Sequence, residues 1–347
     1  MSAEAMTPRE RMAAYLGGEA VDRHPCVPLV LNHAARVAGM KVSEHNRSGE
    51  AMGRAHVAAF RRYRQDMITI FTDTALLAEA MGTEMYYPED DAARVERPAV
   101  TTAEEAARLR APDPWTAGRL PVHLEAVRLA NAEVGEEVFV GCCYALPFTT
   151  AAALLGTDHF VKALRKAPEL AHQLLRVSQE AGLALTEAVI EAGGIPVLVD
   201  PVASCSMISP RQYEEFAAPY TRPLVERIKA AGLPAVLHIC GRSDLIWGQM
   251  ADSEADVLSL DKVDLAQAKR AVGERVGLMG NVAPAETLLY GNPPSVAEET
   301  RACLRSAGDN PRGFIVASGC EVPLATPPEN VEAMLEAVRE WGPPRLH

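Results

Sequence analysis

No stretch of this chain approaches 18 uninterrupted apolar residues, about the length a helix needs to cross a bilayer, so the sequence predicts no membrane span. Its first ten residues, Met1-Ser-Ala-Glu-Ala-Met-Thr-Pro-Arg-Glu10, hold no apolar signal core. Basic charge is scarce: 34 Lys and Arg stand against 46 Asp and Glu, a formal net charge of -12. A chain so acidic is not built to hold nucleic-acid phosphates or an anionic membrane through bulk charge. No Gly-x-Gly-x-x-Gly follows an apolar run, and there is no Walker-type loop. That weakens the dinucleotide and nucleotide folds. The seven cysteines are an odd number scattered along 347 residues. This pattern argues against a secreted disulfide framework and for reduced thiols in the cytoplasm.

What the chain does have is a regular alternation of apolar runs and helical segments. Thr7-Pro8-Arg9-Glu10 reads as a capped helix start, with Thr7 as cap and Glu10 reaching back. Strands are expected at 27–31, 66–71 and 138–143, with helices at 49–62 and 121–134. The proline- and charge-rich stretch 84–117 reads as a surface excursion with a hairpin, and Leu146-Pro-Phe-Thr149 as a turn opening a helix. From residue 195 the alternation tightens. Strands at 196–200, 234–240, 256–261, 276–281 and 313–319 are separated by helices near 209–231, 243–252 and 264–272 and one after 281. A last helix covers 328–340. Apolar runs of four to seven residues between helices imply a parallel sheet. A single (β/α)8 barrel domain over 1–347 fits the length and the pattern.

Polar residues close the apolar runs at Asp200, His238 and Cys240, Asp261, Asn281, and Ser318 with Cys320. In a barrel the C-terminal strand ends converge on one mouth, where catalysis is placed. Each Asp or Asn alone is as well explained as a helix cap; the set points to a shared site. Within it, Pro234-Ala-Val-Leu-His-Ile-Cys240 ends in a His-x-Cys pair. Residues i and i+2 of a strand face the same side, so His238 and Cys240 are expected to aim at one point. With Cys320 from another strand end, they make three ligands of a soft tetrahedral zinc site whose fourth position is open. Two thiolates and an imidazole cancel the zinc charge. Such a centre suits binding and deprotonating a substrate thiol, which then attacks a methyl carbon. A structural zinc needs a fourth protein ligand, for which Glu321, Asp200 and Cys205 are candidates. Cys26, Cys142, Cys143, Cys205 and Cys303 read as small core residues. His24, His33 and His45 read as ordinary polar positions, with His33 near the mouth.

These residues resemble the uroporphyrinogen decarboxylase superfamily over nearly the whole chain. The matching stretches are Thr7-Pro-Arg-Glu-Arg-Met12, Leu146-Pro-Phe-Thr149, Ile208-Ser-Pro-Arg-Gln-Tyr-Glu-Glu-Phe216, Leu260-Asp-Lys-Val-Asp264 and Leu278-Met-Gly-Asn281. His238, Cys240 and Cys320 resemble the ligands of its zinc-binding branch, the methylcobamide:coenzyme M and related corrinoid-dependent methyltransferases. The resemblance implies a barrel with zinc held by those three residues. It also implies methyl transfer between a corrinoid (methylcobamide), usually on a small separate protein, and a thiol such as coenzyme M. The reverse direction, demethylating a methoxylated or methylated small molecule, is the alternative, and so is a uroporphyrinogen decarboxylase. Decarboxylase members share an early Arg-Gln-Ala-Gly-Arg stretch, whereas this chain reads Asn32-His-Ala-Ala-Arg-Val-Ala-Gly39. The paired cationic clamp for a polycarboxylate is absent. Asp200, Asp261, Asn281 and Phe148 are expected to bind substrate, with Met207 and Met279 as further lining. Arg36, Arg64 and Arg242 are candidates for a sulfonate.

Overall fold

A computed structural model of the protein describes residues 5–344; the first four of the ten N-terminal residues read above lie outside them. Eight parallel strands form one sheet. They are β1 (Cys26–Val27), β2 (Met67–Ile70), β3 (Phe139–Ala145), β4 (Ile195–Val199), β5 (Val236–Ile239), β6 (Val257–Leu260), β7 (Gly277–Val282) and β8 (Phe314–Ser318). Each pairs with its sequence neighbour from β2 to β8, and β8 pairs back onto β1. The ring closes between β1 and β2, where the Asp66 amide donates to the Cys26 carbonyl at 2.9 Å. This is a (β/α)8 barrel.

The strands read as continuous apolar runs because both their faces are covered. Alternate residues divide between two cores. Val197 and Val199 of β4 and Met67 of β2 point into the barrel, whereas Leu198 and Ile68 pack against the outer helices. The helix Pro8–Leu16, with the expected Thr7–Glu10 capping box, sends Met12 into the inner core. Below the barrel, Asp66 ties the first turns together. Its carboxylate binds Arg11 and Arg23 at 2.5 Å each and accepts from the Cys26 amide at 2.6 Å.

Three expectations are corrected. The strand at 27–31 is only Cys26–Val27. Pro28 follows it, and the chain turns there, with Leu31 at a positive φ of 40°. The helix at 209–231 is two, Pro210–Phe216 and Ala218–Ala230, with Ala217 at φ -110° between them. Helices Thr157–Lys166 and Pro168–Glu191 fill a stretch for which the sequence reading gave no element. The 84–117 excursion does contain a hairpin, Glu84–Tyr86 against Arg94–Arg97. Among the described residues no helix is long and apolar enough to cross a membrane.

Candidate metal centre

Strand alternation builds the site. Val236, His238 and Cys240 face the barrel interior, while Leu237 and Ile239 of the same strand pack outward. Cys320 comes from the end of β8, across the mouth. One ligand atom from each of His238, Cys240 and Cys320 lies within 4.8 Å of the others. His238 Nε2 is 3.0 Å from Cys240 Sγ, which is 2.9 Å from Cys320 Sγ. His238 Nδ1 is 3.0 Å from Ser259 Oγ, because the β5–β6 register sets His238 directly beside Ser259. With Nε2 turned to the sulfurs, Nδ1–H donates to that hydroxyl, which fixes both tautomer and ring plane.

The donor set fits zinc. Bonds of about 2.3 Å to sulfur in a tetrahedron put two thiolates roughly 3.8 Å apart, so the sulfurs need to spread by about 0.9 Å, within the reach of cysteine side-chain rotation. Cys240 and Cys320 share one hydrogen bond, which together with the nearby His238 lowers the Cys320 pKa. Cys240 is pushed up by the same bond and by burial. Two sulfurs beside an imidazole make a soft donor set for a divalent cation.

A carboxylate braces both cysteine loops. Asp261 Oδ2 accepts from the Gly241 amide at 2.7 Å. Its Oδ1 sits so close to Gly319 that a Cβ there would lie 2.5 Å from it. Gly241 follows Cys240 and Gly319 precedes Cys320, so one side chain hydrogen-bonds the loop after Cys240 and packs against the loop before Cys320. Burial raises the Asp261 pKa. Glu321, next to Cys320, lines the same space; Asn32 donates to its Oε1 through its amide at 3.1 Å and through Nδ2 at 2.9 Å. Burial pushes Glu321 up to about 7.

The other expected site residues divide. Asp261 braces the cysteine loops, and Met279 lines the cavity above the ligands. Asp200 is 1 % exposed and outside the cavity lining. Its Oδ1 accepts from Thr149 N and Oγ1 at 2.9 and 2.6 Å. It caps the Thr149 turn, and burial pushes its pKa to about 7. Asn281 turns its Nδ2 onto the Asp261 and Val263 carbonyls at 2.7 and 2.8 Å and so fastens the β6 loop. Phe148 is fully buried, edge-on to Phe160 with centroids 5.0 Å apart. Its expected place at the mouth is corrected: as the second residue of its helix it turns outward into the helix layer. Met207 is exposed and outside the lining. Arg64 ends the helix before β2, at the opposite end of the barrel, and pairs with Glu137. Arg242 pairs with Asp244 at 3.0 Å, and neither it nor Arg36 lines the cavity. His33 bonds Tyr63 Oη and the Leu324 carbonyl in the core.

Sequence reading missed Ser259. Its signal was a lone hydroxyl inside the apolar run Val257-Leu-Ser-Leu260. It also placed Cys143 in the core, which is right for its burial, yet Cys143 lines the cavity as well.

Fold and site together define a parallel (β/α)8 barrel with a His-Cys-Cys donor cluster at the C-terminal mouth. The chain belongs to the uroporphyrinogen decarboxylase (URO-D) family, whose model matches residues 7–341. It is similar to "Methylcobamide:CoM methyltransferase MtaA" of Methanosarcina barkeri, 28% identical over 96% of this chain and 98% of the relative. It is also similar to "Uroporphyrinogen decarboxylase" of Dechloromonas aromatica, 30% identical over 80% of this chain and 79% of the relative. Among solved structures, a methyltransferase from Methanosarcina mazei superposes with a TM-score of 0.88 at 28% identity, covering 97% of this chain and 99% of that one.

Proposed function

We propose that the chain moves a methyl group between a methylated corrinoid, carried on a small partner protein, and a thiol activated at a zinc ion held by His238, Cys240 and Cys320. The observation that carries this reading is the convergence of one imidazole and two sulfurs at the barrel mouth, with no fourth His, Cys, Asp or Glu in the cluster among the described residues. The methyltransferase relatives align over almost their full length, which supports the same branch.

His238, Cys240 and Cys320 would hold the zinc, which when bound would lower the pKa of a substrate thiol so that a thiolate forms at neutral pH. The chain's own residues do the rest. Ser259 orients the imidazole, Asp261 sets the two cysteine loops, and Leu31, Phe71, Val199 and Met279 wall the space with apolar surface that excludes water. In the net reaction the new S–CH3 bond forms as the cobalt–carbon bond breaks. Its electron pair stays on the corrinoid and the thiol proton goes to solvent.

The decarboxylase reading is disfavoured because among the described residues no Lys or Arg lines the cavity, and a polycarboxylate tetrapyrrole needs cationic partners. The test mixes zinc-loaded protein, methylcobalamin and a panel of thiols and follows the cobalamin spectrum. Thiol-dependent demethylation is expected; its absence with every thiol in zinc-replete protein refutes the reading.

A further inference from the structure

The space beside the three ligands has a chemistry of its own. It is a cavity of about 210 Å³ that runs from the mouth, at Leu31, Phe71 and Pro201, past His238 and Cys240 to Val197 and Met67 inside the barrel. Almost all of its wall is apolar. Among the described residues that line it, none is a lysine or arginine, and the carboxyl of Glu321 is the only acidic group. The buried arginine near β2, Arg119, is already held by Asp73 and Glu79 at 2.7 Å each.

An anionic group in this space loses its water and meets no cation, with a carboxyl close by. An ion taken from water without a partner is strongly disfavoured, whereas apolar surface entering an apolar cavity is favoured in proportion to the area buried. The volume also bounds the size. An apolar cavity of about 150 Å³ is known to take benzene, so this one holds a body of about one aromatic ring or a short alkyl chain.

We infer that the molecule taking the open position beside His238, Cys240 and Cys320 is a small uncharged thiol, alkyl or aryl, and not a sulfonated or carboxylated one. This rests on the methyl-transfer reading above and deepens it. It also sets the chain apart from the Methanosarcina barkeri relative, whose name specifies coenzyme M, a sulfonated thiol. Methyl transfer to such a thiol, R–SH, gives R–S–CH3 with R uncharged, the reduced corrinoid and a proton.

The test is binding, read without turnover. Full-length protein loaded with cobalt(II) in place of zinc is titrated with 1-butanethiol, thiophenol and 2-mercaptoethanesulfonate, and thiolate-to-cobalt absorbance reports occupancy. The uncharged thiols are expected to bind at least tenfold more tightly than the sulfonate. A smaller preference, or the reverse, overturns this inference and leaves the methyl-transfer reading standing. No absorbance change with any thiol overturns both. Thr74→Arg, which puts a cation at the half-exposed mouth end of the lining, is expected to raise affinity for the sulfonate at least tenfold and leave that for 1-butanethiol within threefold. If Thr74→Arg folds and its sulfonate affinity does not rise, charge does not set the selectivity and the inference fails. The wild-type comparison decides the matter even if the variant does not fold.

Discussion

Ser259→Ala is the substitution that separates an organised metal site from a chance cluster of soft side chains. Ser259 is 1 % exposed, and its Oγ is 3.0 Å from His238 Nδ1. Without the hydroxyl, the imidazole keeps its place in β5 but loses the partner that fixes its tautomer and plane. Removing such a partner typically weakens metal binding 10- to 100-fold, or about 1.4–2.7 kcal/mol. The hydrogen bond itself contributes only about 0.5–1.5 kcal/mol to folding, so the barrel stays folded. Zinc affinity is measured by competition with a chromogenic chelator, and thermal melting of the metal-free protein is measured beside it. The expected result is a weaker zinc Kd with a small change in metal-free Tm, and recovery in Ser259→Thr, which restores a hydroxyl on a β-branched strand residue. An unchanged Kd refutes the orienting role. So does a metal-free Tm that collapses, because the effect would then belong to the fold.

Cys320→Ala and Cys240→Ala each leave two ligands, and zinc stoichiometry after dialysis is expected to fall well below one per chain; retention at one would show that the metal sits elsewhere. Gly319→Ala forces a methyl to within 2.5 Å of Asp261 Oδ1, displacing the brace of both cysteine loops, and is expected to cost about 1–3 kcal/mol in stability and to weaken zinc binding in chelator competition. Asp66→Asn removes the buried carboxylate that Arg11 and Arg23 share, while Arg11 keeps Asp22, so urea unfolding is expected to show a loss of up to about 3–5 kcal/mol. His45, His56 and His123 are buried together, and burial lowers all three pKa values, that of His123 to about 3. The unfolded chain therefore binds these protons more tightly. Their contribution is fully present above the ordinary value of 6.5 and is lost as pH falls toward 3, by up to about 1.4 kcal/mol per pH unit for each histidine. His56→Leu is expected to make the fall in urea midpoint between pH 7 and 5 shallower; an equal slope would mean that His56 does not contribute.

Much of this was legible in the sequence because a barrel strand carries its position in its period. The apolar runs at 196–200 and 313–319 were found within a residue or so of β4 and β8. The i, i+2 rule put His238 and Cys240 on the inner face, where they are. What failed needed tertiary contacts. Phe148 sits in a stretch shared with the family, yet whether it faces the mouth or the helix layer depends on Phe160, twelve residues on. Asp200 ends its strand as a catalytic carboxylate would, but the Thr149 amide and hydroxyl claim it; a strand-end carboxylate looks the same in sequence in either role. Ser259 became visible only through the register that sets β6 against β5, which no single strand encodes. The cation-free wall of the cavity comes from all eight strands or the loops after them, so no local window displays it.

The central claim is that His238, Cys240 and Cys320 hold a zinc whose fourth position receives substrate. Zinc-edge X-ray absorption of the full-length protein, recorded with and without 1-butanethiol, tests it most directly. The account predicts a resting shell of two sulfurs, one imidazole nitrogen and one further light atom. On adding the thiol, that light atom is expected to give way to a third sulfur. A zinc shell unchanged by the thiol, or protein that binds no zinc, would contradict it.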